Sequence, residues 1–368
     1  MKYLFALVFL IKFSSVFAQD SLDFGGRYSV DGQYFYGTIL QHNPDIGHLI
    51  TRHPRGVLLS YNEKTYGFEP WSARYNYPDH GFSFIYQDMN NPTLGENFSV
   101  YGHFSFYFFN RKLMARIGQG IAYNTNPYDP KTNYINNAYG THLLSTTYVM
   151  GNYKEPNILD GLGIQAGFMI VHYSNANVKA PNNSTNTFGL NVGLNYQFNA
   201  AEKPDFQPRP VGDKKYSEPI HYNFALRGGV NASDIVGQGQ YPFMNFAVYA
   251  DKRISHFSTF QAGLEVFFSP MLQELINYES IAYPDGEVTG NEASTRTGIF
   301  IGHQLTFNKV SFVANLGYYL TYPFDFEGRV YNRLGIQRDF GDHFFVMISV
   351  HSHGAKAEDA SLSIGYRL

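Results

Sequence analysis

Phe98, Val100, Phe104, Phe106 and Phe108 fall on one face of an extended chain, and Ser99, Tyr101, His103, Ser105 and Tyr107 fall on the other. A helix would scatter both sets around its circumference. A strand keeps them apart, so this run constrains the fold more than any other. The same two-residue period returns at Phe312, Ala314, Leu316, Tyr318, Leu320 and Tyr322. It returns again near the end, where Ala360, Leu362, Ile364, Tyr366 and Leu368 oppose Ser361, Ser363, Gly365 and Arg367. Strands apolar on one side and polar on the other, cut by turn residues, mark an outer-membrane β-barrel. A large soluble β-sandwich is the competing architecture. Charged residues at 15% against aromatics at 17%, with 30 Tyr and 33 Phe, favour a wall that faces lipid.

The pattern predicts an all-β, antiparallel transmembrane barrel of about 14–16 strands. The first half holds strands at 27–42, 55–64, 82–86, 98–108, 113–123, 139–150, 162–174 and 186–198. The second holds strands at 222–230, 243–250, 257–268, 297–307, 312–322, 329–338, 344–350 and 360–368. Residues 199–218, NAAEKPDFQPRPVGDKKYSE, break the pattern with proline and charge. That segment is either a domain linker or a long barrel connection. Strands of the same style resume after it, which favours the connection. Residues 19–368 therefore read as a single barrel, with 25–200 and 219–368 as its two parts.

Residues 1–18 carry Lys2, a short apolar run and small residues before Ala18, the pattern of a secretory signal peptide. The address is the bacterial outer membrane. A net charge of -3 gives no reason to expect nucleic acid, and the absence of cysteine excludes disulfides and thiolate metal sites. With the N-terminal end in the periplasm, odd-numbered strands run outward. The strand ending at Ser174 is about the seventh, so its end lies at the outer rim.

That strand carries chemistry. Leu162, Ile164, Ala166, Phe168 and Ile170 share a face that ends in His172 and Ser174, a base and a nucleophile. A hairpin closing through 175–185 sets Asn186 across from Ser174 and Phe188 across from His172. Ordinary polarity at the membrane rim is the plain alternative. The tripeptide His-x-Ser is no signal by itself, because it also occurs at His103–Ser105 and His256–Ser258. Only the middle copy is followed by Asn175, Ala176 and a loop holding Pro181–Asn182.

The segment HYSNANVKAPNNSTN, residues 172–186, resembles the active-site hairpin of the PagL-type lipid A 3-O-deacylases. In that family an outer-membrane barrel bears a serine esterase on its lipid-facing wall. The chain also resembles the longer acyloxyacyl hydrolases, through GQGIAYNTNPYDPKTNYINNAYGTHL and the run from Gly67 to Gly95. The resemblance implies Ser174 as nucleophile, His172 as its general base and Asn182 as a contributor to the oxyanion hole. It implies that Asn175 orients the loop. The family's acid position falls on Asn186, an amide in place of a carboxylate. The substrate implied is lipid A or a related acylated glycolipid, with no metal or cofactor required. A non-catalytic barrel with a structural or transport role is the alternative.

Two other groups stand out. Asp129, Asn133, Asn136 and Asn137 lie in an Asn-rich stretch and read more readily as loop structure than as a sugar or phosphate site. His351, His353, Glu358 and Asp359 read as a rim or turn cluster rather than a metal site.

Overall fold

The computed structural model of the protein describes residues 25–210 and 216–368. The expected signal peptide lies outside the described residues. Sixteen antiparallel strands are present among the described residues. The fold class and strand number are those expected from the sequence, but the strands close into two rings, not one. β1 (Tyr28–Leu40), β2 (Arg55–Lys64), β3 (Asp79–Asp88), β4 (Glu96–Phe108), β5 (Leu113–Asn124), β6 (Leu143–Leu159), β7 (Leu162–Ser174) and β8 (Thr185–Gln197) form the first barrel. β8 returns to β1 in a ladder running from Ser29↔Gln197 to Leu40↔Asn186.

β9 (Ile220–Asn231), β10 (Tyr241–Arg253), β11 (Ser258–Phe268), β12 (Arg296–Phe307), β13 (Val310–Thr321), β14 (Val330–Phe340), β15 (Phe344–His353) and β16 (Lys356–Arg367) form the second barrel. Here β16 closes on β9. The single barrel expected over 19–368 is thereby corrected, and the segment 199–218 joins two closed barrels. The physical reason is that alternation fixes which face of a strand meets lipid, not which strand closes the ring. Closure follows from the edges: β1 and β8 each satisfy a row of backbone N–H and C=O groups by pairing with the other.

The polar faces turn inward. Ser99, Tyr101, His103, Ser105 and Tyr107 are buried, while Phe98, Val100 and Phe108 are exposed. An eight-strand barrel leaves room for side chains and little else. In the first lumen Arg116 reaches Asp31 at 2.7 Å and also donates to Ser60, Asn62 and Ser105. Lys154 lies 3.4 Å from the other oxygen of Asp31. In the second lumen Arg227 and Arg333 hold Glu265, and Arg296 holds Glu358. Charged pairs thus cross both interiors among the described residues, as suits eight-strand lumens just wide enough for side chains.

The loops at 41–54, 89–95, 125–142 and 175–184 gather at one end of the first barrel. At the matching end of the second, α2 (Pro270–Ala282) packs Met271, Leu272, Leu275 and Ile276 against Phe324 and Phe326. The sequence pattern did not lead to this helix. The opposite end carries short turns, α1 (Pro70–Arg74) and the start of the connection. There Phe206 stacks on Tyr66 at 5.2 Å, and Tyr77 donates to Gln207 O at 2.6 Å.

The barrels stand side by side with like ends together. At the loop end, Asn177 Nδ2 donates to Ala232 O at 2.8 Å and Gln240 Nε2 donates to Val178 O at 2.8 Å. At the other end, the Tyr75 ring packs on Phe257 at 4.8 Å and Phe307 at 4.5 Å, and its hydroxyl donates to Thr306 O at 2.9 Å.

Candidate active site

β7 is the seventh strand, and its outward face keeps the order read from the sequence. Ile164, Phe168 and Ile170 are exposed, and His172 and Ser174 follow at the loop end. The pairing with β8 differs from expectation by two residues. His172 pairs directly with Asn186, Ile170 pairs with Phe188, and Tyr173↔Thr185 closes the ladder. Ser174 therefore stands beyond the last pair. The loop is tightened at its start by left-handed Ala176 (φ 53°) and Asn177 (φ 59°), with Val178 N donating to Asn175 O at 3.2 Å. A pattern of residue types carries no information on such a turn.

The corrected register brings a base and an amide together. Paired residues on one sheet face hold their side chains within contact of each other. Nδ1 of His172 lies 2.8 Å from Oδ1 of Asn186. The amide oxygen only accepts, so it selects the tautomer with the proton on Nδ1 and leaves Nε2 as a lone pair. Nε2 has no hydrogen-bond partner among the described residues.

Ser174 is held by the loop. Its Oγ donates to Asn182 Oδ1 at 3.1 Å and accepts from Ala176 N at 2.9 Å. Asn175 N donates to the same Asn182 oxygen at 2.9 Å, which fixes that amide with its oxygen toward the serine. Asn175 also donates through Nδ2 to Lys179 O at 2.5 Å. No hydrogen bond joins Ser174 to His172 in this arrangement. The two sit on one face, with the hydroxyl turned toward Asn182. Asn182 thus turns its oxygen to the serine hydroxyl, while its Nδ2 makes no hydrogen bond among the described residues.

Three polar neighbours escaped the sequence analysis. Ser145 and Thr147 on β6 pair with Ser174 and His172. Gln119 on β5 accepts from the Thr147 hydroxyl at 2.5 Å and donates to Ser145 at 3.3 Å. They form a polar island on an outer wall where Ile117, Ile121 and Val149 are exposed. The signal was present: Gln119 interrupts the otherwise apolar outward set Leu113, Ala115, Ile117, Ile121 and Tyr123.

The other candidates resolve differently. His103 faces the lumen, with Nδ1 2.7 Å from Ser83 Oγ, and Ser105 accepts from Arg116. His256 packs its ring on Tyr216 at 4.1 Å, while Ser258 pairs with His303 at the far end of the second barrel. Asp129 accepts from the backbone N–H groups of Lys131 and Thr132 at 2.9 and 2.8 Å, which keep its carboxyl below the usual range. Asn133 and Asn136 both donate to Asn126 O, and Asn137 donates to Asp45 O, so this stretch is loop architecture.

His351, His353 and Glu358 lie close enough together to suggest a metal site. Every ring nitrogen there already has a partner. His351 meets Asp359 at 2.9 Å and Tyr319 at 3.2 Å; His353 meets Glu358 at 2.8 Å and Val330 O at 3.2 Å. Arg296 supplies the positive charge on Glu358. The donor set fits an ion-paired lumen better than a cation.

Fold and wall together define a class: a membrane-type β-barrel protein that gathers a serine, a histidine and amides on the outside of a barrel. Residues 55–195 match the family model described as "Lipid A 3-O-deacylase (PagL)", and residues 220–368 match "Acyloxyacyl hydrolase, C-terminal domain". The chain belongs to this PagL-type deacylase and acyloxyacyl hydrolase family, whose names denote hydrolases of lipid A acyl esters. The boundary between the two models falls at the connection between the two barrels. No curated protein gives a significant match. Among solved structures, a mutant of the Rhodopseudomonas blastica porin is 11% identical over 93% of this chain and 99% of its own, with a TM-score of 0.19. CdiB from Acinetobacter baumannii is 7% identical over 93% and 60%, also at 0.19. Superpositions this loose carry no argument.

Proposed function

We propose that the protein is an outer-membrane serine esterase that removes an ester-linked acyl chain from lipid A or a similar glycolipid. Ser174 is its nucleophile and His172 its general base. The observation that carries the reading is the 2.8 Å bond from His172 Nδ1 to Asn186 Oδ1. It aligns the ring and leaves Nε2 free on the face that bears Ser174.

The reaction follows from these positions. Rotation of the Ser174 side chain away from Asn182 brings its hydroxyl to His172 Nε2, a bond of the kind that often forms only in the substrate complex. Oγ attacks the ester carbonyl as Nε2 takes its proton. The tetrahedral oxyanion needs donors aimed at it. The Asn182 Nδ2 group, which has no partner among the described residues, is the side-chain donor available there. Collapse expels the sugar alkoxide, which receives the proton from His172. A water, deprotonated by His172, then splits the acyl-serine ester. The products are a free fatty acid and the deacylated lipid.

Asn186 does part of what a carboxylate does. It fixes the tautomer but brings no charge to balance the imidazolium. The lipid site at the apolar wall suits a substrate whose chains remain in the bilayer. Mass spectrometry of lipid A from cells carrying the wild type or Ser174→Ala tests the reading. Loss of one acyl chain in the wild type alone supports it. Identical spectra from two folded, membrane-inserted proteins refute it.

A further inference from the structure

The second barrel has no part in the chemistry above, yet its position relates to the site. Between the two barrels lies a gap of about 2550 Å³, and His172 and Ser174 open onto it at the loop end. Small-molecule sites are roughly 300–1,000 Å³, so this gap is of another size class. Its first wall comes from outward side chains of the first barrel, among them Phe84, Val100, Ile117 and Ile121. Its second wall comes from the second barrel, among them Phe312, Leu334, Val346, Ile348 and Val350. Both walls are apolar at the level where each barrel carries its exposed belt.

The gap is held at both ends. Tyr75, Phe257 and Phe307 close it at one end, and the bonds of Asn177 and Gln240 bridge it at the other. The loop carrying Asn177 is the one that holds Ser174 and Asn182. The bridge therefore ties the nucleophile's loop directly to the second barrel.

We propose that the second barrel is the far wall of the acyl-chain site, so that the chain to be cut lies between the barrels with its ester at Ser174. This rests on the esterase reading above. The occupant is the hydrocarbon of a long-chain acyl lipid. The gap is lined mainly by apolar side chains, with Gln119 and Arg338 among the polar minority, and its polar residues at the loop end include the nucleophile and base themselves. Val350, Ile348 and Val346 form a graded series. They alternate with buried Ser349, Met347 and Phe345, so they share the outward face. Strand rise spaces them by roughly 7 Å each, with Val350 nearest the loop end.

The test uses purified full-length protein with two substrates, long-chain lipid A and 4-nitrophenyl butyrate. Ile348→Trp and Val350→Trp fill the gap from the second barrel. Leu264→Trp adds the same bulk to an outward position that does not line it. The expected result is a loss of about tenfold or more on lipid A for the two gap variants, with butyrate hydrolysis retained and Leu264→Trp like the wild type. Val346→Trp, deeper in the gap, shortens the longest chain accepted and spares shorter ones. Wild-type rates on lipid A in Ile348→Trp and Val350→Trp overturn the proposal. So does a parallel loss of both substrates, since the wall would then be acting on the fold or on Ser174. Ser174→Ala separates the two claims: butyrate hydrolysis surviving in that variant sinks the esterase reading itself.

Discussion

Asn186 Oδ1 sits 2.8 Å from His172 Nδ1, on the residue paired directly with it across the β7–β8 ladder. The pair is held by two strands of one sheet, not by a loop. A site fixed to sheet backbone keeps its ring orientation without help from the substrate. It also makes the histidine's partner the first place to probe.

Asn186→Asp keeps the acceptor at the same position and adds a negative charge beside the ring. It should raise kcat, because the imidazolium formed in the transition state is then balanced. In a serine protease the reverse exchange costs about 10⁴-fold, which bounds the gain. Asn186→Leu removes the acceptor and should lower kcat by about 10²-fold or more. Deacylation rates on purified lipid A decide both. Equal rates in Asn186→Leu and the wild type would detach this residue from the chemistry.

Ser174→Ala and His172→Ala should each reduce turnover by about 10³-fold or more, and the double variant should be no slower than either alone. Groups that act as one unit show such non-additivity. Independent losses that multiply in the double variant would contradict a shared step.

Asn182→Asp distinguishes two uses of one side chain. The carboxylate still accepts from Ser174 and Asn175 N, so the loop keeps its shape, but it donates nothing. If Nδ2 serves the oxyanion, kcat falls by about 10²–10³-fold with little change in KM. If Asn182 only shapes the loop, Asn182→Asp behaves as the wild type and Asn182→Ala is the damaged variant.

Arg116→Ala leaves Asp31 buried in the first lumen with Lys154 as its remaining cation. Removing one partner of a buried pair costs about 3–5 kcal/mol. Urea unfolding followed by the gel-mobility shift of the folded barrel should show that loss. A variant as stable as the wild type would mean that water enters the lumen and solvates Asp31.

EDTA should leave deacylation unchanged. The ring nitrogens of His351 and His353 are taken by Asp359, Tyr319, Glu358 and Val330 O. A loss of activity that zinc or calcium restores would reverse that view of the cluster.

Much of the fold was legible because a strand in a membrane barrel has one periodic demand on every side chain. β7 and β2 run over the very residues that the alternation marks, and the inward set of β4 is buried as expected. The candidate site residues stand out in the sequence because two polar groups end an apolar face. What the sequence hid has a common cause. Which strand pairs with β1, and how many residues the 175–184 loop takes from the ladder, depend on backbone pairing and on turns at Ala176 and Asn177. Residue type states neither. Thus the register was displaced by two residues and two barrels were expected as one. α2 was hidden for another reason: its apolar positions pack on a loop, where no belt pattern applies.

Segment 199–218 makes the meeting of the two barrels an intramolecular event. A wall supplied by a separate subunit would be lost as the protein is diluted in the bilayer. A tethered wall is present at an effective concentration set by the linker alone. On the proposed reading, one copy in a membrane vesicle carries both walls of the acyl site, and rate per molecule is expected to stay constant as copy number falls.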